Sequence, residues 1–183
     1  MYVLSIFKLN FLLIIIIFIT FIIFCLLETA VAQIGTRFPS EKKIIKDPVT
    51  GTELTFLTSK PAGDSKIYQT HNQWTSDGKW VIFRSNRIRG EAMAVNEESG
   101  DIVQVSEGGY TGMLNVARES MKLYFMRNLP GEQGVNPRRP GPVQVIEVDL
   151  EKLFTDSESG KLKPANEYQR ICGTTPAEVE AGG

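Results

Sequence analysis

Two stretches of this chain lie over one another at a constant spacing. "SDGKWVIF" (Ser76 to Phe83) and "RESMKLYF" (Arg118 to Phe125) are offset by 42 residues, which sets Trp80 over Lys122, Val81 over Leu123, Ile82 over Tyr124 and Phe83 over Phe125. Each belongs to a series of short apolar runs divided by turn residues, with no long stretch at helical period. The first series is "KIYQTHNQW" (Lys66 to Trp74), a turn at "SDG" (Ser76 to Gly78), "KWVIFRS" (Lys79 to Ser85), "EAMAV" (Glu91 to Val95), a turn at "EESGD", and "DIVQVS" (Asp101 to Ser106). The second is "TGMLNVA" (Thr111 to Ala117), "KLYFM" (Lys122 to Met126), "VQVIEVDL" (Val143 to Leu150) and "YQRI" (Tyr168 to Ile171). "KWVIFRS" is apolar on both faces, as a strand covered from both sides must be. Ahead of both series, "TGTELTFLT" (Thr50 to Thr58) follows a turn at "DPVTG" and sets Leu54 and Phe56 on one face, Thr55 and Leu57 on the other.

Four strands per unit at a period of about 40–45 residues is the pattern of a β-propeller blade. The chain is therefore expected to be all-β: a partial β-propeller of about two four-stranded antiparallel blades, preceded by N-terminal closing strands. "RNLPGEQGVNPRRPGP" (Arg127 to Pro142) reads as an exposed loop, because its prolines exclude it from a central strand. "LEKLFTDSESGKLKPANE" (Leu150 to Glu167) reads as a polar excursion with one helical turn at "DLEKLF". Closed propellers have at least about four blades, and repeat units cannot bury their apolar faces alone. Residues 33–183 are thus expected to form an incomplete propeller domain of low solubility, the first part of a larger protein.

Residues 1–32 stand apart. Lys8 precedes an apolar run from Phe11 to Leu27, and "ETAVA" follows with Ala30 and Ala32 in an A-x-A pattern. That order is a secretory signal peptide cleaved before Gln33, or an uncleaved membrane anchor, so the expected location is periplasmic or secreted, or membrane-anchored. Lys8 and Glu28 leave together on cleavage, keeping the formal net charge at -1, and nothing suggests a nucleic-acid partner. Cys25 would leave as well, so Cys172 has no partner for an intrachain disulfide.

"DPVTGTELTFLTS", "IYQTHNQWTSDGKWVIFRSNR", "SGDIVQVSEGG", "KLYFMRN" and "VIEVDL", in that order, resemble the N-terminal part of oligogalacturonate lyases. More broadly they resemble the TolB-like propeller repeat: an aromatic (Trp74), a Ser-Asp-Gly turn and the strand Val81 to Arg87. The lyase resemblance implies an enzyme that cleaves pectic oligogalacturonides by β-elimination. It implies a divalent metal, manganese, held by histidines and a glutamine of later blades, so that no metal ligand is expected in this chain and the chain alone is expected to be inactive. It also implies that Lys43 to Thr58 are outer strands completing the last blade. Two other readings of the same repeat are a non-catalytic propeller that binds envelope proteins and the propeller of a serine peptidase.

β-Elimination on a uronate needs the carboxylate charge neutralised and a base within reach of the C5 proton. A planar guanidinium suits the first task. The candidate substrate-binding residues are Arg84 and Arg87, in a cluster with Arg89, and Arg138 and Arg139 in the long loop that starts at Arg127. His71, the one histidine, is placed on the innermost strand facing the channel, where it is either a catalytic group or a polar residue bonded to a neighbouring carbonyl. Trp74 and Trp80 could stack on sugar rings; the apolar setting of Trp80 favours the core.

Overall fold

The computed structural model describes residues 33–129 and 142–175. The expected signal or anchor segment and the candidates Arg138 and Arg139 lie outside them. Among the described residues, eleven strands, one α-helix and a 3-10 turn make up two larger sheets and a separate hairpin. The first sheet holds β4 (Ser65–Lys66), β5 (Trp80–Arg84), β6 (Ala92–Asn96) and β7 (Ile102–Gln104) as an antiparallel meander, with β1 (Arg37–Phe38) added outside β7. The second holds β8 (Thr111–Val116), β9 (Lys122–Asn128), β10 (Val143–Asp149) and β11 (Gln169–Thr174), again in chain order. The hairpin is β2 (Lys43–Lys46) against β3 (Glu53–Phe56).

The expected strand Lys66 to Trp74 is corrected by the structure. It pairs with β5 at Ser65 and Lys66 and again at Trp74, and leaves the ladder between them. The polar run after Tyr68 turns on itself instead, the His71 N–H donating to the Tyr68 carbonyl at 2.9 Å. The turn that follows is built from side chains as well as backbone. Buried Thr75 accepts from the Trp80 N–H at 3.1 Å and donates its hydroxyl to Asp77 at 2.6 Å, which starts β5 in register.

Period-two alternation sends each strand's side chains to two different places. Trp80, Ile82, Ala92, Ala94 and Val103 of the first sheet meet Leu114, Leu123, Phe125, Ile146 and Val148 of the second in one buried core. On the opposite face of the first sheet, Phe83, Met93, Val95 and Ile102 form a smaller cluster, flanked by Phe38 and Leu57. β5 is therefore apolar on both sides for the reason its sequence suggested.

The excursion after β10 forms more helix than the single turn expected. α1 (Leu150–Glu158) is capped by Asp149, whose carboxylate accepts from the Lys152 N–H at 3.1 Å. Leu150, Leu153, Phe154 and Ser157 are buried, spaced i, i+3, i+4 and i+7, and Phe154 stacks on Trp80 with ring centroids 4.0 Å apart. The segment from Gln33 is stitched to this helix. Ile34 is fully buried in the shared core, and the Gly35 carbonyl accepts from Ser157 Oγ at 2.6 Å while its N–H donates to Gln104 at 2.8 Å. Gly35 has φ +88°, and a Cβ there would run into Leu162, so this crossing requires glycine.

The hairpin repeats β6–β7 bond for bond at an offset of 49 residues. Asp47 Oδ1 accepts from the Val49 and Thr50 N–H groups, as Asn96 Oδ1 does from Glu98 and Ser99. The Asp47 N–H donates to Thr52 and the Gly51 N–H to Asp47, matching Asn96 to Asp101 and Gly100 to Asn96. Gly51 and Gly100 share φ 76°, and Lys46–Glu53 and Ile45–Leu54 pair as Val95–Ile102 and Ala94–Val103 do. β2–β3 is thus the outer pair of a third unit. Its inner pair is not among the described residues.

Candidate functional site

Because successive strands alternate in direction, the 85–91 connection after β5, the Glu107–Tyr110 connection after β7 and the end of β9 fall at one end of the two sheets. Bonds between them confirm the grouping. The Tyr110 N–H donates to the Gly90 carbonyl at 3.3 Å and the Gly109 N–H to Glu91 Oε1 at 2.8 Å. Arg127 reaches the Glu107 carbonyl at 3.2 Å and Gln144 Oε1 at 3.4 Å. β9 ends and β10 begins at this same end.

Within this group the arginines have different fates. Arg87 is consumed internally: its guanidinium donates to Glu41 at 2.7 Å, to Asp64 and to Ser85 at 2.8 Å, and its side chain is only 7% exposed. Arg127 is spent on the loop beside it. Arg89 is exposed. Arg84, half-buried at the end of β5, has an Nε that is buried and has no hydrogen-bond partner. Glu91, at the far end of the connection that follows Arg84, is already engaged, accepting from Ser106 Oγ at 2.6 Å and from Gly109. Tyr110 lies in the same electrostatic neighbourhood. Burial pushes its phenol above the ordinary range, Arg84 pulls it back and Glu91 adds to the rise. Arg84 is thus a half-buried cation with donor capacity left over, which is what capture of a carboxylate needs.

His71 sits elsewhere, where the inner edges of the two sheets meet. Its Nδ1 is 3.4 Å from the Leu114 carbonyl of β8, and its ring stands edge-on to Tyr68 at 5.5 Å. Trp80 is core, at 7% exposure, while Trp74 is 39% exposed on the far side of the Ser76 to Gly78 turn. Among the described residues no three His, Cys, Asp or Glu side chains converge as a metal site.

Two charged clusters escaped the sequence reading. Glu41, buried at the base of the hairpin, also accepts from the Ser59 and Lys60 N–H groups at 3.1 and 3.0 Å. Burial is the largest single influence on its carboxyl and pushes it up; Arg87 and the two N–H groups outweigh that and leave the pKa at about 2 instead of 4.5. On the second sheet's other face, Arg170 clasps both oxygens of Glu147 at 2.8 and 2.9 Å, and Tyr124 donates at 2.9 Å. Arg170 is the main cause of the Glu147 pKa falling to about 2. No sequence signal joins residues so far apart in the chain.

These carboxyls have folded pKa values below their unfolded ones, so their contribution is complete above pH 4.5 and is lost as the pH falls towards 2. Urea midpoints measured across that window are expected to fall steadily with acidification. A Glu41→Gln variant should start lower and show a shallower fall; an unchanged slope would remove Glu41 from the account.

No protein-family model matches the sequence, and no curated protein matches it significantly. Among solved structures, an oligogalacturonate lyase in complex with manganese matches with a TM-score of 0.57 at 18% identity, over 82% of this chain and 34% of that one. The fold is a partial β-propeller. The oligogalacturonate lyase of Vibrio parahaemolyticus is also similar, with a TM-score of 0.47 at 17% identity, over 66% of this chain and 39% of its own. The chain therefore spans about a third of the length of the lyases it resembles. The two sheets are blades, and Arg84 lies at the end that carries the 85–91 and Glu107–Tyr110 connections, the Ser76–Gly78 turn and the β6–β7 and β8–β9 turns lying at the other. The manganese in the first neighbour has no matching donor set among the described residues, and His71 is the chain's single histidine, so no step through a metal is assigned to them.

Proposed function

We propose that this chain is the N-terminal portion of an oligogalacturonate lyase-like propeller and that its part in the function is to hold a uronate carboxylate at Arg84. The carrying observation is the partnerless, buried Nε of Arg84 at the end of β5, beside the 85–91 and Glu107–Tyr110 connections. A half-buried guanidinium with an unspent donor favours an anionic ligand, and pectic oligogalacturonides present one carboxylate per sugar. Arg138 and Arg139, on the loop from the same end, would supply further cations to a polyanionic substrate. In this reading the base and the divalent metal of the elimination come from outside this chain, and residues 1–32 direct export or anchor the protein.

Calorimetric titration with trigalacturonate tests the reading. Charge-assisted hydrogen bonds contribute about 1.5–3 kcal/mol, so Arg84→Gln should weaken binding roughly ten- to hundredfold. Arg84→Lys, which keeps the charge but loses the planar fork, should fall between. Binding by the wild type that is unmoved in both variants would sink the assignment. No conjugated unsaturated uronate should form with this chain alone. Its appearance would place the chemistry among these residues after all.

A further inference from the structure

The turn at Gln33 sets two successive N–H groups against acceptors of the protein, one of them a carboxylate. Gln33 to Thr36 close on themselves, the Thr36 N–H donating to the Gln33 carbonyl at 2.9 Å, with Gly35 at φ +88°. The Gln33 N–H donates to Thr36 Oγ1 at 3.1 Å, and the N–H of fully buried Ile34 donates to Glu107 Oε2 at 2.8 Å. Glu107 is fixed from the second blade. Its N–H donates to Gln169 Oε1 at 3.0 Å, and its carbonyl accepts from Gln169 Nε2 at 3.1 Å and Arg127 Nη1 at 3.2 Å. The cations close by are spent on other groups: Arg127 on that carbonyl and Lys163 on Asp156 at 3.1 Å. A carboxylate bonded to one neutral amide has acceptor capacity to spare.

We infer that Glu107 is the receptor for the α-ammonium of Gln33 that cleavage after Ala32 releases, so that processing adds an ion pair between the leading turn and the second blade. This rests on the export reading of residues 1–32 and is independent of the uronate one. Hydrolysis of the Ala32–Gln33 bond turns one amide N–H into an –NH3+ group with three donors. One donor keeps Thr36 Oγ1. The others reach towards Glu107, because the Gln33 and Ile34 nitrogens are three backbone bonds apart and so lie within about 4 Å of each other. Charge-assisted hydrogen bonds are roughly twice as strong as neutral ones, so the turn is held harder after cleavage than before it. The same contacts protect the new terminus. A free N-terminal glutamine cyclises when its neutral amine attacks its own side-chain carbonyl carbon, forming the lactam C–N bond and expelling Nε2 as ammonia. Beside Glu107 the amine stays protonated, and Gln33 Nε2 is directed instead to the Lys163 carbonyl, to which it donates at 2.5 Å.

The test uses the full chain expressed in an exporting host. Mass spectrometry should find a product that begins at Gln33 and has not lost ammonia. Hydrogen exchange at Gly35, whose N–H donates to Gln104 at 2.8 Å, reports opening of the turn. The uncleaved comparison carries Ala30→Leu and Ala32→Leu, with both forms measured in the same detergent. Gly35 is expected to exchange about tenfold more slowly in the cleaved protein, and Glu107→Gln, which keeps an acceptor for Ile34 but no charge, should abolish that difference. The same substitution should speed ammonia loss from the cleaved protein by about tenfold or more. A product that begins elsewhere would overturn this inference together with the export reading. A product that begins at Gln33 but is already cyclised, exchanges no more slowly than the uncleaved form, or responds to Glu107→Gln just as the uncleaved form does would overturn this inference alone.

Discussion

Replacing Arg87 by Ala is expected to destabilise the chain by about 3–5 kcal/mol, the range found when one member of a buried ion pair is removed. The carboxylates it serves have nowhere else to turn. The Glu41 side chain is 3% exposed and that of Asp64 is 13%, and Asp64 Oδ2 already lacks a partner. Removing the guanidinium leaves two charges out of water, Asp64 with no other donor and Glu41 with two backbone N–H groups and the exposed Lys60 ammonium at 3.9 Å. The companion variant separates this from simple loss of packing. Arg87→Met with Glu41→Leu and Asp64→Asn removes the charges together and should recover most of the loss, since buried ion clusters exchanged for apolar groups are often neutral. Urea midpoints give both numbers. A single-variant loss under about 1 kcal/mol would mean that the cluster is open to solvent in solution. An Arg87→Ala protein of unchanged stability that no longer binds trigalacturonate would return Arg87 to the ligand.

Trp80→Ala should cost a similar amount, about 3–5 kcal/mol, by the route of cavity formation in a close-packed core. Trp80 fills the seam between the blades, 7% exposed and stacked on Phe154 at 4.0 Å with an interplanar angle of 13°. A double-mutant cycle with Phe154→Ala should yield a coupling of about 0.5–1.5 kcal/mol beyond area burial. Trp74→Ala, at an exposed position, should stay within about 0.5 kcal/mol. Comparable losses at the two tryptophans would contradict the packing described for the seam.

Much of the architecture was legible because strand alternation is written in side chains. β5, β6, β9 and β10 stand where apolar runs between turn residues placed them, but the 42-residue offset is one residue short: Trp80 and Ile82 enter the seam with Leu123 and Phe125, an offset of 43, while Phe83 faces the other way. The 49-residue equivalence of the hairpin was not legible in the same way. It resides in backbone bonds, and "DPVTG" and "NEESG" share little but a small polar residue and a glycine. The helix was shorter in the sequence reading because its buried face alternates with Lys152, Asp156 and Glu158, which look like loop. Ile34 gave no sign of its place, since a lone isoleucine has no period.

The candidate site was legible as charge and illegible as partnership. Arg84 and Arg87 look alike in "RSNR", and what separates them is Glu41 and Asp64, 46 and 23 residues from Arg87 along the chain. Pairings over such distances depend on how sheets stack, and no local pattern encodes them.

The strap from Gln33 to Phe38 also orders events in time. Its partners are residues 102–104, Glu107, Ser157 and Lys163, so the first described residues bond to others as many as 130 positions later. A ribosome delivers the strap early and its sockets late. Contacts of such long sequence separation form slowly and only after the intervening loop is closed. Throughout synthesis, therefore, the leading end stays loose and threadable, and the seam between the blades is locked only after the helix of the second has emerged.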